Sequence, residues 1–246
     1  MIPLRDDNPT VRPPVVTVLI LIAIAFVYFG VQPRGAVAEA RYTYANAAIP
    51  CEVVQGRPLT IDEINHALGG HDEACGRAAA SPELFPRKSV YLAVLVSMFL
   101  HANLLHIGGN ALFLWVFGNN IEDRMGHLWY ALFYLVGGLA AAGGYVAAQP
   151  LSTVPMIGAS GAIAAVMGAY LVLFPRAPVR TLFILGFFVF LRDIPAAVLL
   201  AFWFVSQFFL SPGSGVAWMA HVGGFAFGAA VTFATRSRLR VVSAAA

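Results

Sequence analysis

Charge is scarce in this chain of 246 residues: Asp, Glu, Lys and Arg make up only 11%, against roughly a quarter in soluble globular domains. With 59% hydrophobic residues and a mean hydropathy of +0.77, that shortage excludes an ordinary soluble fold and makes the bilayer the solvent. Cysteine is nearly absent, with two residues, which excludes a disulfide-dense miniature scaffold, and the apolar excess excludes a disordered or collagen-like chain. The net charge of +3 comes from basic residues scattered singly along the chain, so nucleic acid is set aside as a partner. Lysine occurs once, at Lys88.

What is present is a set of charge-free runs. Residues 13–33, 89–121, 125–175 and 194–235 contain no Asp, Glu, Lys or Arg. A spanning helix needs about 20 apolar residues, so the third run is too long for one crossing, and the turn-forming stretch Gln149 to Pro155 divides it. Ser211, Pro212, Gly213, Ser214 and Gly215 divide the fourth. In the second, 90–100 reads as an amphipathic or interfacial piece ahead of the true span. The expected fold is therefore an all-α membrane protein with six spans, at about 14–32, 103–119, 126–148, 157–174, 194–210 and 216–235. Residues 1–13 form an N-terminal segment, 33–102 a large loop between the first two spans, 103–235 the core, and 236–246 a tail.

Six spans put both termini on one side. The short segments on that side hold Arg5, Arg12, Arg124, Arg176, Arg180, Arg192, Arg236, Arg238 and Arg240, which makes it the cytoplasmic side, since arginine and lysine in short loops set orientation. The expected location is a bacterial inner membrane, with the 33–88 loop outside. Cys51 and Cys75 both fall in that loop. In an oxidising exterior they are candidate disulfide partners, the alternative being two separate thiols. A second alternative concerns the first run: followed by Ala36, Val37 and Ala38 it has some features of a cleaved secretory signal, which would leave five spans. Its length, nearer a span than a signal core, favours a retained helix.

Polar side chains within spans are expensive and mark functional candidates. They are His106 and Asn110 in the second span, Ser160 in the fourth and His221 in the sixth, with His101 just ahead of the second. Thr17, Ser206, Gln207 and Thr232 lie in or near spans without similar company. Ser160 sits in Gly158-Ala159-Ser160-Gly161 at the start of a helix, where backbone amides are unpaired and suit a developing oxyanion; the alternative is a small-residue packing patch. A serine nucleophile needs a base. Lys88 lies outside the spans, and Asp123 and Asp193 sit at the opposite helix ends, which leaves histidine. At 1.5 Å rise per residue, Ser160 and His221 lie at matched depths of about 6 to 9 Å. Gly224 and Gly228 supply the GxxxG spacing for close helix contact. His106 and Asn110, four apart, share a helix face and read as oxyanion donors. His101 and His106, five apart with no third ligand nearby, do not make a zinc site.

His101-Ala102-Asn103-Leu104-Leu105-His106-Ile107-Gly108-Gly109-Asn110, then Gly158-Ala159-Ser160-Gly161, then Ala220-His221 with Gly224 and Gly228, resembles the rhomboid intramembrane serine proteases over roughly 90–234. The resemblance implies Ser160 as nucleophile, His221 as base, His106, Asn110 and the Ser160 amide as oxyanion donors, and His101 as a supporting histidine. It implies that Gly224 and Gly228 pack the sixth helix on the fourth, with Gly158 and Gly161 flanking the nucleophile. It also implies that Glu122 and Arg124 form a structural polar pair. No cofactor is implied, and the substrates would be transmembrane segments of other proteins, cut near their outer ends. The chain departs from the family in two places. Ala164 stands where many members carry an aromatic against the histidine, so another residue must orient His221, and the aromatic-arginine pair of the first outer loop is not evident in 88–100. The 33–88 loop has no family counterpart. The competing class is a catalytically silent relative that binds and escorts transmembrane clients, which need not keep Ser160 and His221.

Overall fold

The computed structural model describes residues 1–71, 75–76, 81–209 and 217–239. In chain order the elements are β1 (Ile2–Asp6), α1 (Val15–Phe26, continued by a π-helical turn, Val27–Val31), α2 (Ala36–Asn46), α3 (Pro50–Gln55), α4 (Ile61–Leu68), α5 (Val90–Ser97), α6 (Leu104–Met125), α7 (His127–Ala148), α8 (Ser160–Leu173), β2 (Pro178–Leu185), β3 (Phe188–Pro195), α9 (Ala196–Gln207) and α10 (Trp218–Thr235). The fold is predominantly helical, and a helix occupies each of the six expected spans: α1 with its π turn, α6, α7, α8, α9 and α10. Among the described residues, α7 is the one helix long and apolar enough by itself to cross a membrane. The expected break at Ser211–Gly215 and residues 240–246 of the tail, Arg240 among them, lie outside the described residues.

The bundle is organised around α8. Its residues Gly161 to Tyr170 are all buried, and they are mostly Ala, Gly and branched aliphatics, the composition of a helix surrounded on every side. Helix α10 comes closest to it through two of its own glycines. A Cβ on Gly224 would sit 2.2 Å from the carbonyl oxygen of Gly161, and one on Gly228 only 1.9 Å from that of Ala165, so any side chain at either position would force α10 off α8.

The far end of the bundle is tied by carboxylates. Glu122, fully buried near the end of α6, accepts from the backbone N–H groups of Val16 and Thr17 at 2.7 and 2.8 Å and from the Thr17 hydroxyl at 2.7 Å. Asp123 accepts from the amides of Val11 and Arg12. Glu122 thereby satisfies unpaired donors in the first turn of α1, where negative charge also complements the helix dipole, and Asp123 ties down the segment just ahead of that helix. Glu122 therefore does not pair with Arg124, contrary to the expectation. Its oxygens are taken by α1 and by His127 Nδ1 at 2.6 Å, and the Arg124 guanidinium lies over the Phe174 ring, 5.3 Å from its centroid. Asp6 of β1 is held by Asn120 Nδ2 of α6 at 2.6 Å and by the Tyr170 hydroxyl of α8 at 2.5 Å.

The described residues of the 33–88 region form a cap that includes the short helices α2, α3 and α4. Thr60 and Glu63 form a reciprocal capping box at the start of α4. Burial alone would raise the Glu63 carboxyl, but hydrogen bonds from Arg57 and from the Thr60 and Gly76 amides pull it down to about 2. Lys88 is buried against Glu52 at 2.5 Å. Cys51 and Cys75 are joined by a disulfide with Cα atoms 5.7 Å apart, and Cys51 packs with Ile49, Leu59 and Ile64 in a small core. This cap grips the 149–158 segment: Met156 N–H donates to Ala48 O at 2.7 Å, Cys51 N–H to Ser152 O at 3.0 Å, and Ala48 N–H to the Ser97 hydroxyl of α5 at 2.6 Å.

The three-stranded antiparallel sheet, in the order β1-β2-β3, has no counterpart in the expected all-α fold. Residues 175–193 read as a short connecting segment because charge position was the guide there. The same residues are rich in Val, Ile, Phe and Leu around a Gly186-Phe187 turn, a hairpin pattern, with Pro178 paired to Pro195 and Leu185 to Phe188.

Candidate active site

The segment leading into α8 is fixed before it reaches Ser160. Gly158 donates its N–H to Ser97 O at 2.9 Å and adopts φ +119, a conformation that favours glycine. A Cβ there would lie 2.6 Å from His106 Nε2, so the absent side chain is what lets His106 come up against the loop that leads to Ser160. Ser160 is the first residue of α8, where backbone N–H groups have no partner within the helix.

His221 stands in the first turn of α10, and the close α8–α10 approach carries it to Ser160: His221 Nε2 lies 2.8 Å from Ser160 Oγ. The other ring nitrogen, Nδ1, lies 2.7 Å from Gln207 Oε1 at the end of α9. The glutamine is itself oriented, since its Nε2 donates to Trp203 O at 3.0 Å and to the Ser206 hydroxyl at 3.3 Å. That assigns its carbonyl to the imidazole, which must then carry its proton on Nδ1 and turn the Nε2 lone pair toward the serine hydroxyl. The Trp203 ring packs beside His221 at 5.8 Å between centroids. Gln207 and Trp203 together take up the orienting role that Ala164 leaves open.

Ser160, His221, His106 and Gly158 line a cavity of about 540 Å³, whose remaining walls include Gly138, Ala141 and Ala142. His106 Nδ1 accepts from the Ala102 N–H at 3.3 Å, which leaves the ring proton on Nε2, beside Gly158. Asn110 is not brought to the cavity: it is buried, and its side-chain amide turns back to donate to His106 O at 3.0 Å. His101 is buried beneath His106, ring centroids 5.0 Å apart. Gln32 brackets its backbone, donating to its carbonyl and accepting from its N–H, both at 2.9 Å. Burial, with His106 adjacent, pulls the His101 imidazole down to about 4, so it stays neutral. Gly161 faces α7 and α10, with Ala141 and Gly224 against it. Among the described residues no three His, Cys, Asp or Glu side chains gather as a metal site.

Gln207 is the site residue that sequence reasoning missed as a participant. It stood out only as a polar residue near the end of an apolar run, because its partner lies 14 positions away on another helix.

A family model described as the Rhomboid domain matches residues 88–238. That span covers α5 to α10 and leaves β1, α1 and the cap of α2 to α4 outside it. No curated protein matches the chain.

Proposed function

The chain belongs to the rhomboid family of membrane proteins, and from that premise we propose that it is an intramembrane serine endopeptidase that cuts other membrane proteins in or near their transmembrane segments. The observation that carries this reading is the continuous chain Ser160 Oγ, His221, Gln207, with contacts of 2.8 and 2.7 Å.

In this mechanism His221 Nε2 takes the Ser160 proton as Oγ attacks the scissile carbonyl, and the imidazolium then protonates the leaving amine. Gln207 holds the productive tautomer without supplying a charge. Negative charge developing on the carbonyl oxygen is met by the Ser160 amide and the Nε2–H of His106. Asn110 joins them after its side chain rotates away from His106 O. Water entering from the cap side then hydrolyses the acyl-enzyme. The small residues of the cavity wall suit a small side chain beside the cut. A helical substrate hides its scissile bond behind internal hydrogen bonds, so segments loosened by Gly or Pro are preferred.

The topology proposed with this mechanism has six spans, with Ser160 and the 33–88 cap on the outer side and β1 and the sheet on the cytoplasmic side. A silent client-binding relative has no use for the serine–histidine contact. The test is reconstitution in vesicles with single-span reporter proteins whose outer halves carry Gly-Pro or an unbroken Leu run. The proposal expects cleavage of the first by the native chain and none by Ser160→Ala. Equal processing by both chains, or none by either across a panel of such reporters, sinks it.

A further inference from the structure

The β2–β3 hairpin has a distribution of polarity that an aqueous surface does not favour. Hairpins on soluble proteins separate apolar from polar residues across the two faces of the pleat. Here the separation runs along the strands. At the base, Arg5, Arg180 and Asp193 form a row across the three strands, with Arg180 and Asp193 joined by two contacts of 2.8 Å. From Thr181 to Leu191 there is no charged residue. β1 flanks β2 only as far as Leu182, so the rest of the hairpin projects free, over about 13 Å at the usual strand rise.

Both pleat faces of that projecting tip are apolar and open. Phe188 and Phe190 are 75% and 39% exposed on one face, Val189 and Leu191 are 63% and 51% exposed on the other, and Phe187 at the turn is wholly exposed. A protein partner would cover one face of a two-stranded ribbon. An apolar environment on both faces at once is what a lipid medium provides. The base adds the second half of the match: Arg5 has Asp7 and Arg180 has Asp193, while among the described residues no acid pairs with Arg176 or Arg192.

We propose that the hairpin tip, Leu182 to Leu191, is a membrane-surface anchor immersed in the headgroup and upper acyl region, with Arg176 and Arg192 at its base engaging anionic lipid phosphates. Immersion stops at the interface, about 5–10 Å deep, because the outer edge of β3 carries backbone groups that cannot be left unpaired in the hydrocarbon core. The anchor requires only that the chain reside in a membrane and is independent of the protease mechanism. It fixes the end of α8 and the start of α9, which the hairpin joins, at a set depth.

Nitroxide labelling tests it directly, since Cys51 and Cys75 are bonded to each other and leave a new cysteine as the sole free thiol. The full chain, as Phe187→Cys, Phe188→Cys or Arg192→Cys, is labelled and reconstituted in phosphatidylcholine–phosphatidylglycerol vesicles. Collision with oxygen is then compared with collision with a water-soluble nickel chelate. The expected result is an oxygen-to-nickel ratio several-fold higher at 187 and 188 than at 192, falling at the tip when phosphatidylglycerol is omitted. Nickel access at 187 and 188 equal to that at 192 overturns the anchor, as does spin–spin broadening that places a second copy against the tip. A ratio indifferent to phosphatidylglycerol overturns the role of the arginines.

Discussion

Gln207 Oε1 accepts from His221 Nδ1 at 2.7 Å while the same side chain donates through Nε2 to Trp203 O at 3.0 Å. The second contact fixes which end of the amide faces the imidazole, so a neutral residue does the orienting that a carboxylate performs in a three-residue triad.

That arrangement separates positioning from mere packing. Gln207→Leu removes the acceptor and is expected to lower kcat about tenfold, the equivalent of one neutral hydrogen bond of ~1.4 kcal/mol, with little change in KM. Gln207→Glu keeps an acceptor for Nδ1 but as a carboxylate has no N–H for Trp203 O. It should recover most of the lost rate if the contact to His221 is what matters. A Glu variant as slow as the Leu variant would show that Gln207 serves only to brace α9.

The α8–α10 contact makes a second prediction through paired glycines. Gly228→Ala puts a methyl 1.9 Å from Ala165 O, whereas at Gly143 of α7 a methyl meets nothing within 4 Å. The first change is expected to destabilise the bundle by about 1–3 kcal/mol through overpacking and to reduce activity by moving His221 away from Ser160. The second should leave both unchanged or slightly improve stability. Unfolding midpoints in mixed detergent micelles check this, and indistinguishable midpoints for the two variants would contradict the packing described.

The cap also bears on the position of Ser160, because Ala48 and Cys51 hydrogen-bond the segment that ends at Gly158. Replacing both Cys51 and Cys75 by Ser releases the cross-link, with an expected loss of ~2–4 kcal/mol in the cap. Faster proteolytic nicking of 149–157 and a reduced cleavage rate should accompany it. Native nicking and native rate in the double variant would show that the cap and the 149–158 loop are independent.

Much of this site was legible in the sequence because lipid makes polar residues rare. Ser160, His106 and His221 stood out against apolar runs, and the Gly224–Gly228 spacing pointed to the contact that unites two of them. Features whose meaning depends on a distant partner did not read out. Gln207 stood beside only a serine on its own helix, and the imidazole that gives it a role lies on another. Glu122 was expected, from the family resemblance, to form a structural polar pair with Arg124, yet its oxygens serve amides of α1 more than 100 positions earlier. Asn110 shares a face with His106, as its spacing required, but spends its amide on the helix backbone. The β2–β3 hairpin was hidden because its apolar tip was weighed only by the arginines on either side.

The most direct test of the account is covalent labelling of the purified chain by a fluorophosphonate, with the modified residue mapped by mass spectrometry. The native protein should be modified at Ser160, with Ser160→Ala unlabelled and His221→Ala slowed by orders of magnitude. Equal labelling of all three chains, or modification of another serine with Ser160 untouched, would contradict the assignment of Ser160 and His221 as the catalytic pair.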